Sequence, residues 1–95
     1  MAVSATCTSM TVEAAGRILI NIDDGTQLTF ETIDEAKAFA NHIDDPGANQ
    51  EEFAQKLLLR DWFVHDPTGL NSGLLVGHSV TFDMTAAVRV LFTES

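Results

Sequence analysis

The sequence holds a single cysteine, a single tryptophan and two prolines, and its five Lys and Arg residues stand against fourteen Asp and Glu. Each scarcity excludes something. One cysteine permits no internal disulfide and no cysteine metal cluster, which fits synthesis in a reducing compartment. A formal charge of −9 repels a phosphate backbone and an anionic membrane surface alike, so neither nucleic acid nor membrane is expected as a partner. No apolar run approaches the roughly 20 residues needed to span a bilayer. The first positive charge is Arg17, and Ala2 to Ala15 has no continuous hydrophobic stretch; no secretory signal is expected, and Cys7 lacks the preceding apolar segment of a lipoprotein. A cytoplasmic place of synthesis is expected. At 95 residues the chain suffices for one domain with a core but not for two lobes around a cleft, so shallow surfaces and no small-molecule substrate are expected.

What is present centres on Glu51 to Asp66, EEFAQKLLLRDWFVHD, which carries the tryptophan and the densest large apolar side chains. Phe53, Leu57, Leu58, Asp61 and Trp62 fall at helical spacing, and Leu59, Phe63 and Val64 extend the apolar surface around the second half. Glu51, Glu52, Gln55, Lys56 and Arg60 form the expected polar sector. Upstream, Ile18, Ile20 and Ile22 alternate, as do Leu28 and Phe30, across the turn Asp24-Gly25, which predicts a hairpin over Arg17 to Glu31. Thr32-Ile33-Asp34-Glu35 has the form of a capping box, and Ile33, Ala36, Phe39, Ala40 and Ile43 make the stripe of a first helix that Asp45-Pro46-Gly47 ends. Asn49 and Glu52 predict the cap of the second helix. Beyond the turn residues at Asp66 to Gly73, Leu74, Val76, Val80 and Phe82 alternate across Gly77, and Val88, Val90 and Phe92 alternate in the last segment, so a second hairpin is expected. Met1 to Gly16, mostly Ala, Ser, Thr and Val, is read as an extended arm outside a domain spanning 17–95. The predicted fold is α+β in the order ββααββ, with four antiparallel strands in one sheet and an antiparallel helix hairpin on one face.

Candidate chemistry is sparse. Asp61 and His65 lie four apart on one helical face beside Asp66, a permissible spacing for metal ligands, but an i,i+4 carboxylate and imidazole near a helix C-terminus pair favourably without a metal. Asp23-Asp24-Gly25 and Asp44-Asp45-Pro46-Gly47 read as turn chemistry, since neither matches a calcium loop. His78 is in phase with buried strand positions and reads as a hydrogen-bonded core residue, or one displaced outward by a bulge at Gly77, rather than a catalytic base, and Cys7 has no neighbouring histidine or cation to activate it. No cofactor, metal or catalytic residue is assigned. The acids are more informative: Glu31, Asp34, Glu35, Asp44, Asp45, Glu51 and Glu52 are half of the total and gather around both helix starts. Such an end is capped and solvated surface or a docking patch for a basic partner.

The N-terminal Ala/Ser/Thr segment, the hairpin ending in LTFET, the helix pair carrying LLLRDW and the closing VTFDMTAAVRV together resemble small accessory virion proteins encoded among the capsid and tail genes of tailed bacteriophages. The resemblance implies a multi-copy virion structural or assembly component, not an enzyme, partnered by capsid or tail subunits or by itself and made in the host cytoplasm. The alternatives are a free acidic regulatory or inhibitory module, and a small metal-dependent enzyme using Asp61, His65 and a loop carboxylate. If Ile18, Ile20, Val80, Phe82, Val88, Val90 and Phe92 point inward, the opposite sheet face carries Leu19, Leu75 and Leu91 beside Arg89, with Met10 and Val12 of the arm adding to it. That face is the expected subunit contact, with the arm ordering on assembly.

Overall fold

A computed structural model describes residues 2–42, 50–83 and 89–93, with the backbone alone described at residues 2, 3, 82, 83 and 89–93. The strands are β1 (Ala2–Val12), β2 (Ile18–Ile22), β3 (Gln27–Phe30), β4 (Ser79–Asp83) and β5 (Arg89–Thr93); the helices are α1 (Ile33–Asn41) and α2 (Gln50–His65). The fold is α+β, with an antiparallel sheet and two helices, as the alternation and the helical stripes predict. The sheet has five strands, however, not four, in the order β3-β2-β1-β4-β5.

The additional strand is the predicted arm. Ala2–Val12 forms the centre of the sheet, pairing through residues 2–6 with β4 and through residues 7–12 with β2. Its local pattern hides this role because the register shifts between Cys7 and Ser9. Before the shift Ala5 and Cys7 are buried; after it Met10 is buried and Val12 packs on the core. The bulged residue, Thr8, moves the inward set from odd to even positions, so no single period of two runs through the segment. The expectation that the arm lies outside the domain and orders only on assembly is thereby corrected.

The β2–β3 hairpin follows its sequence. Ile18 pairs with Phe30 and Ile20 with Leu28, and Gly25, at φ +92°, supplies the left-handed residue of a turn in which Asp24 Oδ1 accepts the Thr26 N–H. At the start of α1 the Thr32 hydroxyl accepts the Glu35 N–H at 3.1 Å, while the Glu35 carboxylate reaches back to the Glu31 N–H at 2.9 Å, one residue beyond the ideal capping box. The predicted Asp45-Pro46-Gly47 stop, Ile43 and the Asn49 cap lie outside the described residues.

Helix α2 crosses β1 and β4, and α1 packs on α2 and β3. Lys56 Nζ, early in α2, donates to the carbonyl of His42 at the end of α1, while Lys37 lies over the ring of Phe63 near the end of α2. The contacts therefore run in opposite senses along the two helices. Leu58 and Trp62 are fully buried with Ile18, Ile20 and Val80, and Ala36 and Ala40 let α1 approach closely. Two side chains depart from the predicted helix faces: Gln55 is buried rather than in the polar sector, and Val64 is 69% exposed rather than covered.

The segment after α2 also departs from expectation. Leu74 and Val76 do not continue β4; the chain turns, with His78 N–H donating to Leu75 O and Gly77 N–H to Cys7 O, and the strand begins at Ser79. Leu75 thus swings into the core and is fully buried, while Val76 stays exposed. The connection between β4 and β5 lies outside the described residues.

Candidate functional site

With both helices on one side, the other side of the sheet is set by register. Thr11, Leu19 and Thr29 form one cross-strand row and Ser9, Asn21 and Gln27 another, with Ser4 beside Thr81 and Thr6 beside Ser79 on the β4 side. Asn21 Nδ2 donates to Ser9 Oγ at 2.6 Å, Gln27 Nε2 to Asn21 Oδ1 at 3.1 Å, and the bulged Thr8 hydroxyl to Asn21 O at 3.2 Å. This ladder stiffens a flat surface of hydroxyls and amides. No charged side chain belongs to these rows, in a chain where charged residues are 20% of the total. The charges nearest to it are Glu13 with its ion-pair partner Arg17 and the turn residues Asp23 and Asp24, at strand ends, and Asp83 and Arg89, which register places in the next row beyond Ser4 and Thr81.

The leucine patch predicted for this face is not what the structure builds. Leu19 is there and half-buried, but Leu75 and Met10 are core residues and Val12 packs against the core. Strand position alone assigned Leu75 to the wrong face, and the Thr8 bulge reversed Met10. Leu91 and Arg89 pair by register with Thr81 and Asp83, and their side chains lie outside the description.

The acidic residues divide by role. Glu35 caps α1, Asp34 lies in its first turn and Glu31 is exposed beside them. Glu51 and Glu52 lie in the first turn of α2, where the helix dipole favours anions, and Glu52 pairs with Lys56 at 3.6 Å. Asp44 and Asp45 lie outside the described residues. Glu51 and Glu52 also wall a groove of about 320 Å³ floored by Leu28 and Phe39. A second groove, of about 220 Å³, lies between the helices at Lys37, Arg60, Phe63 and Val64.

The predicted Asp61 and His65 are joined by His78, which sequence spacing did not connect to them. Asp61 Oδ1 lies 3.5 Å from His65 Nε2 and Oδ2 lies 3.9 Å from His78 Nδ1. The imidazole rings are 6.2 Å apart. These separations make ion pairs when the imidazoles are protonated, tying the end of α2 to the start of β4. Among the described residues no group of three or more His, Cys, Asp or Glu side chains is placed to hold a metal ion. Asp66, the second carboxylate weighed for such a site, turns away: its oxygens accept the Thr68 hydroxyl and the Asn71 N–H, each at 2.6 Å. The Thr68 hydrogen bond first, and then that from Asn71, hold its carboxyl below the ordinary range. Cys7 is fully buried, with its Sγ 3.4 Å from Ser9 O, and burial pushes its thiol up to about 11. Among the described residues no helix is long and apolar enough to cross a membrane.

Comparison with protein-family models, with curated proteins and with solved structures gives no match.

Proposed function

We propose that this chain is a non-enzymatic assembly protein, present in many copies and working through the open face of its sheet. The observation that carries the reading is the uncharged surface of Ser4, Thr6, Ser9, Thr11, Leu19, Asn21, Gln27, Thr29, Ser79 and Thr81 on a chain of net charge −9. The central rows of a sheet face that only meets water have no need to be free of charge, and Lys or Glu there would guard against association. Two copies at −9 repel over most of their surfaces, and here they meet without opposed carboxylates. Five strands about 4.8 Å apart and about five residues long offer roughly 400 Å² per copy. That is about half of what one partner buries in a standard stable interface. The contact is therefore weak alone and suits an array in which each copy has several neighbours. The layout resemblance to accessory capsid and tail proteins of tailed bacteriophages supports placing such an array in a virion, with capsid or tail subunits as further partners.

The test is the double variant Thr11→Lys/Thr29→Lys, which flanks Leu19 with charge. Sedimentation at about 0.1–1 mM protein should show wild-type self-association and a folded variant that associates at least about tenfold more weakly. Lysines lower the net charge and so relax long-range repulsion, which works against the expected loss. A variant that associates as wild type excludes the face as the contact. In a native particle, fixed copy number by mass measurement is the corresponding expectation.

A further inference from the structure

The two grooves of the helix layer are opposite in charge. In the first, Glu51 and Glu52 stand beside Leu28 and Phe39; in the second, Lys37 and Arg60 stand beside Phe63 and Val64. Of the four Lys and Arg residues whose side chains are described, two are already satisfied. Arg17 pairs with Glu13, and Lys56 lies near Glu52 and donates to His42 O. Lys37 and Arg60 are different: among the described residues neither has a carboxylate partner, although acids outnumber cations fourteen to five. Lys37 instead lies 5.6 Å above the Phe63 ring, and the neighbouring Val64 is 69% exposed. Two cations without a carboxylate partner among the described residues, set around exposed apolar surface, describe a receptor for a carboxylate-bearing, partly apolar surface. Glu51, exposed at the lip of the other groove with Leu28 and Phe39 beneath it, is such a surface.

We infer that the two grooves are the halves of one head-to-tail contact between copies of this chain, the Lys37/Arg60 groove of one copy receiving the Glu51/Glu52 edge of the next. Glu51 and Val64 are thirteen positions apart on α2, roughly 20 Å at about 1.5 Å per residue. One copy can therefore use both halves at once. A contact between two different patches is heterologous and propagates into a ring or a filament unless it is blocked. It lies on the helix layer and leaves the sheet face free. The inference rests on the assembly reading only in taking a second copy as partner, since the surface is a different one.

The experiment is a charge exchange. Copy one carries Lys37→Glu/Arg60→Glu and copy two carries Glu51→Lys/Glu52→Lys, with circular dichroism to confirm folding and Glu51→Gln/Glu52→Gln as a milder variant should the lysines disturb the first turn of α2. Wild type should form species larger than a dimer on sedimentation. Each reversed copy alone should stop at the sheet-paired dimer or below, the Gln variant should grow less than wild type, and an equimolar mixture of the two reversed copies should regain the larger species, because each groove then meets its opposite. Reversed copies that grow as wild type would overturn the inference, as would a mixture that fails to regrow. If wild type stops at a dimer that Thr11→Lys/Thr29→Lys dissolves, the grooves are not a contact and the assembly reading stands. A wild type that stays monomeric throughout removes both.

Discussion

Three residues show how single positions hold this chain in shape. Asp66 organises the turn after α2 by accepting from Thr68 and Asn71, and those bonds lower its folded carboxyl below the ordinary value of about 3.9. The stabilisation is full above that ordinary value and is lost as pH falls through the lower folded value. Urea midpoints of wild type and Asp66→Asn should therefore differ most at neutral pH and converge toward pH 3; a gap that widens on acidification contradicts the assignment. Gly69, at φ +69°, seats the same turn against the helices, and a Cβ there would stand 3.2 Å from Ile33 Cγ2. Left-handed strain and crowding together should make Gly69→Ala cost about 1–3 kcal/mol in a denaturant melt. Cys7, whose burial pushes its thiol up to about 11, is about one part in a thousand thiolate at pH 8 while the sheet is closed. Its reaction with a disulfide reagent should thus follow the rate of opening of the sheet, and rapid stoichiometric labelling of the native chain would show that β1 is not central.

Among the elements, β1 is the one whose place decides the architecture. Its bulge can be tested by which of two neighbours tolerates a charge: Met10→Lys buries an ammonium in the core and should cost about 3 kcal/mol or more, whereas Thr11→Lys, on the open face, should stay within about 0.5 kcal/mol for the monomer. An unbroken alternation from Ala5 would reverse that order. Helix α2 makes the companion case, because Leu58 and Trp62 are fully buried and truncation of either to Ala should cost about 2–5 kcal/mol. The contrast explains what could be read in advance. The hairpin at Ile18 to Phe30, the Thr32 cap and the buried set of α2 from Phe53 to Trp62 are written in local periods and turn residues, and apart from Gln55 and Val64 they lie where those signals put them. The central strand was illegible because Ala5 and Cys7 are small, Thr8 breaks the phase, and its pairing with β4 joins residues more than seventy positions apart. Leu75 was misassigned because a turn, not a pleat, aims it. His78 meets Asp61 only because β1 holds the approach to β4 through the bonds of Cys7 with Gly77 and His78.

At the scale of the whole molecule the charges are sorted between two layers: a sheet face whose central rows are uncharged on one side, and a helix layer bearing an acidic groove and a cationic one on the other. The two surfaces respond to salt with opposite sign. Contact through the neutral face is opposed by the repulsion of two −9 chains, and added salt removes that opposition as the screening length falls from about 30 Å at 0.01 M to about 3 Å at 1 M. Contact through the grooves depends on attraction between Lys37 or Arg60 and Glu51, which the same salt weakens. Two variants separate the effects. Lys37→Glu/Arg60→Glu retains the sheet contact alone, and its association should strengthen between 50 and 500 mM salt, on the order of a few-fold. Thr11→Lys/Thr29→Lys retains the groove contact alone, and its residual association should weaken over the same range. Sedimentation equilibrium on each variant reads both slopes. If the first variant weakens with salt, charge pairs hold the sheet face and its neutrality is incidental; if the second strengthens, apolar contact at Phe63 and Val64 holds the grooves and the paired charges do not.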